Sequence, residues 1–187
     1  MITVVSGLPR SGTSLVMQML AAGGYPILCD EQRAADDDNP RGYLEFAPVK
    51  ALERDATWLP QAEGKAVKII SFLLNKLRDD FEYRIIFLRR ELSEVLRSQE
   101  TMLQRRGQPP GPNAALMATH FNKHLQTVDE WLSRQKHIQV LNCPYVKLVQ
   151  DPAKAAQSIR DFLSLDLDVA PMAAAVDPSL YRQRTHK

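Results

Sequence analysis

Cysteine is scarce: the 187 residues contain two, Cys29 and Cys143, with no close spacing between them. A disulfide framework or a four-thiolate zinc site is therefore excluded, and two reduced, partly buried thiols of a cytosolic protein are expected. No apolar run approaches the length of a membrane span, and the N-terminal Met-Ile-Thr-Val-Val carries no basic region ahead of its apolar residues. The chain is accordingly read as cytoplasmic, with neither signal peptide nor membrane segment. Charge of one sign is also lacking, since 24 Lys and Arg face 22 Asp and Glu for a formal net charge of +2. That balance argues against a nucleic-acid partner but leaves room for a local basic site. Four histidines occur, and only His120 and His124 have ligand-like spacing; no third ligand accompanies them, so no metal is expected. His137 precedes a strand, and His186 belongs to a tail expected to fray.

What is present is the alternation of short apolar strands with helical periods. Strands are expected at Ile2 to Val5, Val67 to Ile70, Arg84 to Leu88 and Ile138 to Leu141. Helices are expected from Thr13 to the Gly23-Gly24 stop, over Pro48 to Trp58, from Phe72 to Leu77, and over Leu92 to Leu103, Ala114 to Trp131 and Ala153 to Leu163. Cys29 to Tyr43 and Gly107 to Asn113 read as loops, and the tail beyond Leu165 has no firm pattern. The expectation is a single domain over residues 1–187, a three-layer α/β sandwich with a mainly parallel central sheet, with lid segments near 29–45 and 106–113.

The strongest local signal is Ser6-Gly7-Leu8-Pro9-Arg10-Ser11-Gly12-Thr13-Ser14, which leaves a strand and opens a helix. Backbone N–H groups in such a turn form an anion site, so Pro9, Arg10, Ser11, Gly12, Thr13 and Ser14 are candidate phosphate binders. The plainer reading is a tight turn with a Ser/Thr cap. Gly7 and Gly12 have the spacing of a nucleotide-triphosphatase loop, but Thr13 stands where that loop requires Lys. The cation is Arg10 instead, inside the loop, which suits a 5′-phosphate better than a magnesium-bound triphosphate. A second basic region runs from Arg84 to Arg106, with six arginines against three glutamates. Arg90 sits at a strand's carboxyl end, where open α/β sheets gather ligands, and its alternative is a strand-end salt bridge. Ser98 follows eight residues later on the next helix, with helix packing as its alternative.

These stretches resemble the sulfotransferases that use 3′-phosphoadenosine 5′-phosphosulfate (PAPS). Pro9-Arg10-Ser11-Gly12-Thr13-Ser14 resembles their 5′-phosphosulfate loop, and Arg90 with Ser98 resembles the pair that holds the 3′-phosphate, although Leu92 replaces the usual proline. Tyr145-Val146-Lys147-Leu148-Val149-Gln150-Asp151-Pro152 resembles the tyrosine-containing segment after the fourth strand, which implies that Tyr145 approaches the adenine; a core aromatic is the alternative. The resemblance implies a P-loop-type fold, PAPS as donor, no metal, and a small-molecule or carbohydrate-like acceptor bearing a hydroxyl or amine. Asn39 to Glu45 is similar to a segment whose carboxylate faces the acceptor, which makes Glu45 the candidate base; a charge at a helix start is its alternative. Lys68, in the second strand, is the candidate for stabilising the bridging oxygen, or else an edge-strand lysine. No His accompanies that strand, which argues against phenol or steroid acceptors. Catalysis is thus assigned to Glu45, Lys68 and Arg10. Two alternatives stay open, a nucleotide or small-molecule kinase with a divergent P-loop and a non-catalytic nucleotide-binding or scaffold protein. Whether the chain is a monomer or a homo-oligomer is left open too.

Overall fold

The protein, seen in a computed structural model, is described for residues 1–30, 32, 35–36 and 39–181. Asp37 and Asp38 of the acidic loop, and His186 of the tail, lie outside the described residues. Four strands, β1 (Ile2–Gly7), β2 (Ala66–Lys68), β3 (Tyr83–Arg89) and β4 (Ile138–Pro144), form an all-parallel sheet in the order β2-β1-β3-β4. Among the described residues six α-helices accompany them: α1 (Thr13–Ala22), α2 (Leu92–Arg105), α3 (Ala114–Leu132), α4 (Tyr145–Gln150), α5 (Pro152–Leu163) and α6 (Val169–Ala174).

Alternate strand residues feed two different cores, which is why the strands are mostly apolar and Ile85 to Leu88 of β3 is an unbroken apolar run. Val5, Ile86 and Leu88 face Val16, Leu20, Leu148, Ile159 and Met172 of α1, α4, α5 and α6. Val4, Val67, Ile85 and Phe87 face Leu59, Leu74, Val128 and Leu132 on the other side. A smaller cluster of Leu8, Val95 and Phe121 ties α2 and α3 to the start of the loop after β1. The expected three-layer α/β arrangement is what the chain adopts.

The differences from expectation are local. Pro48 to Trp58 is no α-helix: a 3-10 turn covers Ala47–Ala51 and another Leu59–Ala62. Between them Asp55 accepts from the amide and hydroxyl of Thr57, and such a local side-chain turn competes with helix propagation. Ser71–Lys76 is likewise 3-10, too short to repay α-helix nucleation and flanked by extended Ile70 and Leu77. The second strand ends at Lys68, not Ile70. The described part of the tail, by contrast, is structured. Asp168 caps α6, and Met172 packs on α1 so closely that a Cβ at Gly23 would lie 2.6 Å from its Cγ. Gly23 is thus a close-approach position as well as a helix stop. Cys143 is buried, which pushes its thiol up to about 11, but Cys29 is exposed. No helix among the described residues is long and apolar enough to cross a membrane.

Candidate functional site

Register brings distant sequence segments together at the carboxyl edge of the sheet. Gly7 pairs with Leu88, so the loop after β1 and the Arg89-Arg90 pair after β3 leave the sheet side by side. Arg89 pairs with Pro144, so Tyr145 emerges next to Arg90. Val5 pairs with Lys68, which sets the end of β2 on the other flank. The strand order reverses at β1, and in open parallel sheets such a reversal opens a crevice. A cleft of about 700 Å³ lies here, lined by Pro9, Arg10, Gly12, Thr13, Ser14, Glu45, Lys68, Arg90, Ser98 and Tyr145 among others. Of the residues expected from the sequence, Ser11 is not on its wall; it is buried, and its hydroxyl has no hydrogen-bond partner.

The loop itself is bent at two left-handed positions, Arg10 (φ 69°) and Gly12 (φ 103°). For Arg10 that conformation carries a backbone cost of order 1–3 kcal/mol, a feature that gathers at functional sites. Gly12 has no substitute: a Cβ there would meet the Tyr145 ring at 2.5 Å. Gly12 occupies the N-cap of α1 and no side chain caps the helix, so the first-turn amides are left to the cleft that Gly12, Thr13 and Ser14 line.

Hydrogen bonds join Arg10, Arg90 and Ser98 into one network. The Arg10 Nε donates to Ser98 Oγ at 3.1 Å, and an Arg90 NH group donates to the Arg10 carbonyl at 3.1 Å. Arg90 also donates through Nε to Glu94 at 3.0 Å, with both side chains nearly buried. Its guanidinium lies over the rings of Tyr145 and Tyr181, 4.4 and 5.3 Å from their centroids. The Tyr181 hydroxyl donates to the other Glu94 oxygen at 2.6 Å, and burial first, then this carboxylate, pushes the phenol up to about 12. Sequence reasoning missed Glu94 and Tyr181. The i,i+4 spacing of Arg90 and Glu94 was the available signal; Tyr181 had none. Arg97 and Arg105 are exposed, as a solvated helix face requires, although Arg105 reaches the cleft rim.

On the opposite flank, Lys68 is buried and donates to Ser14 Oγ at 2.9 Å and to the Tyr43 carbonyl. Its Nζ stands 4.0 Å from Glu45 Oε1. Lys68 thus faces the cleft rather than guarding an outer edge. Leu44, between the carbonyl that Lys68 holds and Glu45, adopts φ 49°, so a second strained residue stands beside the site. Tyr43 donates to Asp36 at 2.7 Å, and Arg106 reaches the same carboxylate at 3.2 Å, which joins the two segments expected as lids.

Among the described residues the histidines do not gather. His120 is exposed, while His124 bonds Ser71 Oγ at 2.9 Å and stacks on Phe72 at 3.9 Å. Among the described residues no three His, Cys, Asp or Glu side chains converge as a metal site. Burial holds the His124 pKa below its usual value. Since the unfolded chain then takes up the proton first, the contribution of His124 is intact above about pH 6.5 and is lost as pH falls below it. Melting temperature should drop more between pH 7.5 and 5.5 for the native chain than for His124→Gln; equal drops would contradict this.

No family model matches the chain, and no curated protein matches it. Solved structures do. The sulfotransferase domain of the Synechococcus PCC 7002 olefin synthase is 19% identical, with 99% of this chain and 88% of that one covered at a TM-score of 0.60. A sulfotransferase from Alicyclobacillus acidocaldarius is 13% identical over 96% of this chain and 95% of that one, with a TM-score of 0.53. Mouse sulfotransferase SULT7A1, solved in complex with PAP, is 16% identical over 94% of this chain and 62% of that one, at 0.51. The chain has the sulfotransferase fold.

Proposed function

We propose that the protein is a sulfotransferase that moves the sulfuryl group of PAPS to a hydroxyl or amine of a small acceptor. The observation that carries this reading is the convergence, in one cleft, of the uncapped loop–helix junction with Arg10, Arg90 and Ser98 on one side and Lys68 and Glu45 on the other. The donor set suits the proposed ligand: two guanidiniums, two loop hydroxyls and helix N-terminal amides favour a nucleotide with two separated anionic groups. The Tyr145 ring, buried beneath the Arg90 guanidinium, holds that cation in position beside the nucleotide.

In this reading Arg10, Thr13, Ser14 and the first-turn amides of α1 hold the 5′ end. Arg90 and Ser98 hold the 3′-phosphate. Lys68, already fixed by Ser14 and Tyr43, stabilises the charge that develops on the bridging oxygen, and Glu45 takes the acceptor's proton. The new bond joins the acceptor oxygen or nitrogen to sulfur. The bond from sulfur to the phosphate oxygen breaks, and its electron pair leaves with PAP.

A kinase reading is disfavoured by Thr13 after Gly12 and by Arg10 as the loop's cation. Calorimetric titration of PAP tests the loop assignment. Arg10→Ala should weaken PAP by roughly 1.5–3 kcal/mol, about 10- to 150-fold, because one charge-assisted contact is lost. Unchanged affinity would remove the loop from the site. With a labelled donor, Lys68→Ala should slow transfer by about 10²-fold or more without weakening PAP to the same degree. Tight PAP binding with no transfer to any hydroxylated or amino compound would favour a non-catalytic scaffold.

A further inference from the structure

The cleft has two halves of different chemistry. One is the polar half just described. The other begins two residues beyond Lys68, where Ile70 leads into the 3-10 turn carrying Phe72 and Leu73, which packs beside Met117 and Phe121 of α3 to form one wall of the same cleft. None of these five side chains carries a hydrogen-bond donor, and the only acceptor among them is the weak thioether sulfur of Met117. Phe72 is 42% exposed, which is uncommon for a residue whose ring already stacks on His124 and lies 6.3 Å from the ring of Phe121. An apolar ring left in water at the mouth of a cleft is surface that an occupant can cover.

We propose that the acceptor is an alcohol whose hydroxyl is carried on an apolar body. This rests on the sulfotransferase reading and narrows it. The body lies against Phe72, Leu73, Met117 and Phe121, and the hydroxyl is delivered to Glu45 and Lys68. A sugar fits this half poorly. Its hydroxyls would give up water where these side chains offer no replacement donor and only a weak acceptor, and each such loss is unfavourable. Met117, unbranched and polarizable, adapts the wall to bodies of varied shape. On transfer, the alcohol oxygen forms the bond to sulfur, its proton passes to Glu45, and the sulfur–phosphate oxygen bond breaks with its electrons leaving on PAP.

The test uses the full chain with saturating PAP and a series of straight-chain probes, butanol, hexanol and octanol, with methyl glucoside as the polar comparison. Ligand-observed NMR titration should show affinity rising roughly fourfold per methylene, and no comparable binding of the glucoside. Phe72→Asp, at an exposed position, should abolish most of that dependence while changing PAP affinity by less than about twofold; Met117→Asp serves as a second variant. A chain-length dependence that is absent, or that survives both substitutions, would overturn the proposal, as would glucoside binding as tight as octanol. Failure of PAP to bind, with the alkanol series intact, would overturn the donor assignment instead.

Discussion

Turnover by Glu45→Gln is expected to fall by roughly 10²–10⁴-fold, with PAP affinity unchanged, because the substitution keeps the shape of the side chain and removes the proton acceptor. Glu45 stands 4.0 Å from the Lys68 ammonium, and its side chain is about one-quarter exposed at the cleft wall. It is therefore close to the group proposed to stabilise the leaving oxygen, yet open to an incoming hydroxyl. The strained Leu44 before it fixes the direction in which the chain enters this position. Steady-state and single-turnover rates with labelled donor, on acceptors found by screening, check the prediction. Full activity in Glu45→Gln would move the base to Lys68 or a loop residue.

A second large effect is expected on stability. Arg90→Ala should destabilise the protein by about 3–5 kcal/mol, since it removes the guanidinium that pairs with the buried Glu94 carboxylate. The Tyr181 hydroxyl bonds only one of the Glu94 oxygens and offers no compensating charge. The same substitution frees the Arg10 carbonyl from its donor, so the phosphate loop should loosen as well. Glu94→Gln in the Arg90→Ala background should recover much of the loss, and urea unfolding of the four proteins in that cycle measures the coupling. Strictly additive losses would mean that the pair is not a unit. For ligand studies, Arg90→Lys combined with removal of the nucleotide's 3′-phosphate is the better probe, because a buried positive charge is kept.

The sheet and the loop after β1 were legible in the sequence for one physical reason. A parallel strand buried on both faces is largely apolar, as Ile85-Ile86-Phe87-Leu88 is throughout and the run from Ile2 is apart from Thr3. The loop was legible because a strand, a glycine turn and a helix start follow each other in a few residues. Arg10, Lys68, Arg90, Ser98 and Tyr145 could be selected as types at positions, but not as a network. That Arg10 bonds Ser98, and that Arg90 is shared by Glu94, the loop carbonyl and two rings, depends on strand register. The apolar half of the cleft was hidden for another reason. Phe72, Met117 and Phe121 look like ordinary core residues of a helical pattern, and only the crossing of two elements turns them into a wall. The C-terminal helix α6 escaped because six residues, half of them alanine, carry too short a period.

Calorimetric titration of the native chain with PAP, with adenosine 5′-monophosphate and with magnesium-ATP bears most directly on the central claim. The Arg90–Ser98 end of the cleft should make the 3′-phosphate count, so PAP should bind at least about tenfold more tightly than the monophosphate, given one charge-assisted contact or more. Magnesium-ATP should compete weakly. Equal affinity for PAP and the monophosphate, or tight magnesium-dependent binding of ATP in preference to PAP, would contradict the account.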